Sequence, residues 1–151
     1  MRAEMRAEMQ NSLRILIVSE DLPTPGMGGL ARHVLALTRA LIAAGHAVDL
    51  MGNDDYPPDV AEGQLNFGGQ FFPELRGQFD GWKEMRLGVF LPPKRSVIAR
   101  RFARAILRRA DGYDVIHYHG HLPNIASYLP PELNFIQTRH DQGSDCLIHT
   151  R

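Results

Sequence analysis

The chain has 151 residues, 44% of them hydrophobic, with 17 Lys and Arg against 17 Asp and Glu. That length suffices for one packed core, and a formal net charge of zero excludes a nucleic-acid binder that relies on an overall excess of cation. The lone Cys146 excludes an intrachain disulfide and a thiolate metal cluster, and no apolar run approaches the roughly 20 residues that span a bilayer, so a soluble, cytoplasmic protein is expected.

Residues 1–12 carry the tandem MRAE-MRAE-M and lack the apolar core of a secretory signal. Two copies of four residues are too short for a repeat architecture, and a flexible leader is expected ahead of a domain over residues 13–151. Residues 13–19, LRILIVS, form a near-continuous apolar run of strand length, the mark of a buried parallel strand. Residues 20–29, EDLPTPGMGG, hold two prolines and three glycines and read as a loop. From Leu30 the apolar positions Val34, Leu37, Leu41 and Ile42 recur at helical spacing, and Gly45 supplies the stop. Residues 47–51, AVDLM, make a second strand ended by the polar cluster after Met51. Strand, glycine loop, helix and strand constitute a βαβ unit, the opening of an α/β, Rossmann-like, doubly wound parallel sheet.

Residues 57–93 are rich in Gly, Pro, Phe and Gln without a sustained period; an irregular segment with one short strand near residues 65–67 is expected. Residues 96–110 return to helical spacing, with Ile98, Phe102, Ala105 and Ile106 on one side and Arg100, Arg101, Arg104 and Arg108 on the other. A third strand follows at residues 114–118, a short helix at 121–129 and a fourth strand at 133–138. The final residues open a new element without a terminating signal, and the chain is expected to continue.

A loop leaving a parallel strand and entering a helix lies at the carboxyl edge of the sheet, where open α/β folds bind ligands. Gly28 and Gly29, with Leu30 and Ala31, offer the unpaired amides of the first turn, which suit a phosphate or diphosphate; equally, the glycines can serve only to form a tight turn. Neither the G-x-G-x-x-G spacing nor the lysine-bearing P-loop is present. His117, His119 and His121 alternate at the end of the third strand, a spacing compatible with a transition metal, but no carboxylate follows until Glu132. His140 and Asp141 close the fourth strand, where a histidine can contact a hydroxylated substrate.

Residues 23–51, PTPGMGGLARHVLALTRALIAAGHAVDLM, resemble the first glycine loop, helix and Gly-His-x-Val strand of family 4 glycosyltransferases. DVIHYHGH at residues 114–121 and FIQTRHD at 135–141 are similar to that family's third-strand and following segments. The resemblance implies the N-terminal half of a GT-B fold, in which two Rossmann-like domains face a cleft, with a nucleotide-sugar donor and no obligatory metal or other cofactor. It implies that Gly28 and Gly29 touch the donor diphosphate, that His140 is catalytic beside the transferred sugar, and that His119 positions the acceptor. Arg139 and Asp141 flank His140 at the same strand end and are taken with the acceptor site. The family's C-terminal domain, with its E-x7-E segment, is absent, so the chain resembles an acceptor-side half that does not transfer sugar alone. Transfer with retention is expected, helped electrostatically by the helix N-terminus at Gly29.

Trp82, with Lys83, Arg86, Phe71 and Phe72, is a candidate for stacking an acceptor sugar, or these side chains pack the irregular segment onto the sheet. The face of Arg100, Arg101, Arg104 and Arg108 is a candidate for peripheral contact with anionic lipid at the inner membrane face, in keeping with a lipid-linked acceptor; the simpler expectation is a solvated helix face. Two rival functions remain at this level: a metal-dependent hydrolase or deacetylase using His117, His119 and His140, and a non-catalytic module binding a glycan or phosphate.

Overall fold

A computed structural model describes residues 12–20, 29–52, 69–75, 92–120, 122 and 124–139. The strands are β1 (Arg14–Ser19), β2 (Ala47–Met51), β3 (Phe71–Phe72), β4 (Val115–Gly120) and β5 (Phe135–Arg139), and the helices are α1 (Gly29–Ala43) and α2 (Pro92–Leu107). They form one five-stranded sheet in the order β3-β2-β1-β4-β5, with every pairing parallel. The fold is therefore the expected α/β, Rossmann-like sheet, with the strand order reversing between β1 and β4.

The apolar run of β1 follows from its central place. Ile15 and Ile17 pack on one face with Val34 of α1, Val48 and Leu50, while Leu16 and Val18 pack on the other with Phe102 and Ile106 of α2, Ile116 and Tyr118. Leu16, Ile17 and Val18 are fully buried, each contributing about 2 kcal/mol of apolar transfer. A strand covered on both faces has no position left for a polar alternate.

The stop of α1 at Gly45 is a Schellman turn. Gly45 takes φ +90°, its N–H donates to the Ile42 carbonyl at 2.9 Å, and the His46 N–H donates to the Leu41 carbonyl at 3.1 Å. α2 buries Ile98, Ala99, Phe102, Ala103, Ala105 and Ile106. It starts at Pro92, earlier than the apolar period indicates, because prolines are tolerated in a first turn whose N–H groups have no helical partner. It stops at Leu107, and a 3-10 turn takes over at Ala110–Gly112. The short helix expected after β4 is likewise a 3-10 turn, Ile125–Tyr128.

β3 lies at Phe71–Phe72, paired to Leu50 and Met51; the strand expected at residues 65–67 lies outside the described residues. Two residues are too few to show alternation. β3 is held instead by the Gln70 N–H donating to Asp49 Oδ1 at 2.7 Å and by the Gly52 N–H donating to the Phe72 carbonyl at 3.0 Å. At the amino edge, the Arg14 N–H donates to Asp114 Oδ2 at 2.7 Å, the Asp114 N–H returns to the Arg14 carbonyl at 2.8 Å, and the Tyr113 hydroxyl donates to Asp49 Oδ2 at 2.7 Å. These bonds tie the starts of β1 and β4 to each other and the segment before β4 to the middle of β2.

Candidate functional site

All five strands run the same way, so their ends gather at one edge. Ser19 pairs in register with His119, His119 with Thr138, and Gly120 with Arg139. α1 begins at Gly29, an exposed residue, at this same edge and at the β1/β4 reversal. Among the described residues nothing lies within 4 Å of the position a Cβ would take on Gly29.

Alternation divides the edge into two faces. On the α1 face the His119 ring lies 5.5 Å from that of His33 and 4.0 Å from that of His117. The His117 Nε2 is 2.8 Å from Thr138 Oγ1. His119 is fully buried, His117 half-buried and His33 exposed. On the α2 face the Tyr118 hydroxyl donates to Glu20 Oε1, and accepts from the Leu122 N–H at 3.1 Å. Glu20 is only 3% exposed. Gly120 is required beneath them, because a Cβ there would sit 2.5 Å from the Glu20 carboxyl carbon. Gln137 donates to the Leu122 carbonyl at 2.9 Å, fixing the chain just after β4.

The sequence-selected residues are thus distributed unevenly. Gly29, His119 and Arg139 meet at the carboxyl edge, Arg139 exposed at the end of β5. Gly28, Trp82, His140 and Asp141 lie outside the described residues, as does His121. Among the described residues no three of His, Cys, Asp and Glu are gathered as a metal site. Phe71 and Phe72 are half-buried; Phe71 packs with the α1-side core, and Phe72 packs with the α2-side core under the Arg109 guanidinium, 3.6 Å from the ring centre. Both rings thus pack against the sheet's cores.

The arginine face also divides. Arg100 lies over the Tyr128 ring at 5.4 Å, and Arg108 reaches Glu74 at 3.5 Å, while Arg101 and Arg104 are exposed beside the exposed Val97 and Leu107. Among the described residues no helix is long and apolar enough to cross a membrane.

Sequence reasoning missed Glu20, His33 and Thr138. Glu20 had a signal, being the first acidic residue after a buried strand and so at the ligand edge. His33 had a weaker one, one turn past Gly29 and next to the apolar Val34, but its contact with His119 depends on how α1 crosses the sheet.

No curated protein matches the sequence. Among solved structures the chain is similar to O-ureido-L-serine synthase at 19% identity, over 90% of this chain and 48% of that one, with a TM-score of 0.27. The chain spans about half the length of that structure. Residues 27–149 match Glycosyltransferase Family 4, a span that takes in the α1 turn, the histidine strand β4 and all of β5. By this match over most of its length, on a five-stranded parallel sheet, the chain belongs to glycosyltransferase family 4.

Proposed function

We propose that the chain is the acceptor-binding, N-terminal half of a glycosyltransferase that moves a sugar from a nucleotide-sugar donor to a glycan, lipid-linked or small-molecule acceptor, with retention of configuration. It is supported by the match to family 4 in a chain whose α1 starts at Gly29, after the central strand beside which the strand order reverses. The Gly28–Gly29 amides and the positive end of the helix hold the donor diphosphate and stabilise it as a leaving group. His140 acts beside the transferred sugar, and His119, Arg139, Asp141 and Trp82 serve the acceptor. A second domain carries the nucleotide-sugar site and completes the cleft, and no cofactor or obligatory metal takes part.

The enzyme works in the cytoplasm, at the inner membrane face where its acceptor is lipid-linked. Arg101 and Arg104 carry the lipid contact, since Arg100 and Arg108 already have an aromatic ring and a carboxylate. The test of the transferase is to express the chain together with the reading frame downstream of Arg151 and to screen nucleotide sugars for turnover. Transfer by the joined protein, lost in His140→Ala and absent from the 151-residue chain alone, is the expected result. Hydrolysis of an N-acetyl substrate that needs added zinc would instead favour the hydrolase.

A further inference from the structure

We propose that His33 is the imidazole that meets the acceptor, and that His119, buried beneath it, is a positioning residue. This deepens the acceptor-site reading and rests on it. The two rings are 5.5 Å apart, but only His33 is exposed, whereas His119 has no accessible surface. A ligand atom arriving at this face therefore reaches His33 before His119.

The support below His33 is continuous. His119 rests against His117 at 4.0 Å with the rings inclined at 38°, and His117 Nε2 is hydrogen-bonded to Thr138 Oγ1 at 2.8 Å. α1 is pinned to the sheet on either side of His33 by the buried Leu30, Ala31 and Val34. Three elements thus hold one imidazole at the edge, one turn beyond Gly29 and one strand from Arg139. Imidazole nitrogens hydrogen-bond readily with hydroxyl groups. Glu20, the buried carboxylate of this edge, belongs to the opposite face with Tyr118. The ligand at His33 is accordingly the hydroxyl-bearing acceptor of the proposed transferase, a sugar or polyol, with a hydroxyl directed at His33.

The test uses the 151-residue chain with 15N-labelled histidine, followed by NMR as D-glucose, D-galactose, D-mannose and N-acetyl-D-glucosamine are added. The expected result is that at least one sugar moves the His33 ring signals, and that His33→Gln weakens that sugar about tenfold, as for one lost hydrogen bond. His119→Phe keeps a ring between His33 and His117 but removes its nitrogens. It should weaken the same sugar severalfold and displace the His33 signals in the ligand-free protein, which a purely structural role for His119 at a distance would not do. Should His119→Phe fail to fold, Thr138→Val removes the last link of the same chain and reads the same signals. No response of His33 to any of the four sugars, or equal binding by His33→Gln, overturns the inference. Binding to this chain is read without turnover, so a joined protein that transfers no sugar overturns the transferase and leaves this result standing. Transfer with an unchanged acceptor KM in His33→Gln does the reverse.

Discussion

At Gly120 the backbone of β4 passes so close to Glu20 that a single added carbon would collide with its carboxyl group at 2.5 Å. The obstacle is not a mobile tip, because Glu20 is buried and held by the Tyr118 hydroxyl, which also takes the Leu122 N–H. Gly120→Ala is therefore expected to cost about 1–3 kcal/mol through overpacking, seen as a lower urea midpoint at unchanged slope. Tyr118→Phe should cost a similar amount for a different reason: it leaves the buried Leu122 amide without its acceptor. A Gly120→Ala protein as stable as its parent would mean that Glu20 and Tyr118 do not close over β4.

Tyr113 gives the amino edge a pH dependence. Burial raises its phenol pKa well above the usual value of about 10, and the hydrogen bond and charge of Asp49 raise it further, against the smaller opposing effects of Arg109 and Arg14. The folded protein thus holds this proton more tightly than the unfolded chain does. That contribution to stability is complete below about pH 10 and declines as pH rises beyond it, where only the unfolded chain readily ionises. Tyr113→Phe should lose about 1 kcal/mol at neutral pH with the bond to Asp49, and its stability should then fall less steeply than the parent's in alkali. Parallel alkaline profiles in denaturant titrations would show that Tyr113 ionises equally in both states.

At the scale of elements, what the sequence made legible tracks how much of each element's reason is local. β1, α1 and β2 were readable nearly to the residue, because burial on both faces writes an unbroken apolar run and Gly45 writes the helix stop. β3 was not, since Phe71 and Phe72 are a strand only by virtue of their pairing with β2 and the bonds of Asp49 and Gly52 in and just after that strand. The arginines of α2 were legible as a face but not as individuals: Tyr128 and Glu74 are distant in sequence, and they engage Arg100 and Arg108. If the helix meets anionic lipid, Arg101→Glu with Arg104→Glu should abolish flotation with phosphatidylglycerol vesicles at low salt. The parent's flotation should fade as salt is raised. A parent protein that stays at the bottom of the gradient at low salt leaves this face simply solvated.

Across the whole molecule the two edges of the sheet are built differently, and that asymmetry explains which part of the site could be read in advance. The glycine turn and the histidine strand announced themselves by position alone, whereas the pairing of His33 with His119, or of Glu20 with Tyr118, arises only when α1 and β4 are brought together across residues far apart in sequence. The amino edge is cross-tied by Arg14, Asp114, Tyr113 and Asp49, and by Ser12 donating to the Gly45 carbonyl at 2.8 Å. The carboxyl edge has, beside the Tyr118–Glu20, His117–Thr138 and Gln137–Leu122 bonds, the helix start at Gly29, whose first amides have no helical acceptor. Opening should therefore begin at that helix start. In hydrogen exchange, the amides of Ile17, Ile116 and Tyr118 should exchange only with global unfolding, being fully buried residues of strands inside the sheet. Those of Leu30 and Ala31 should exchange orders of magnitude faster, although their side chains are buried, and should slow when a diphosphate such as that of UDP occupies the turn. Equal protection of the two groups in the ligand-free chain would mean that the turn is already closed, and that its amides are not available to a donor.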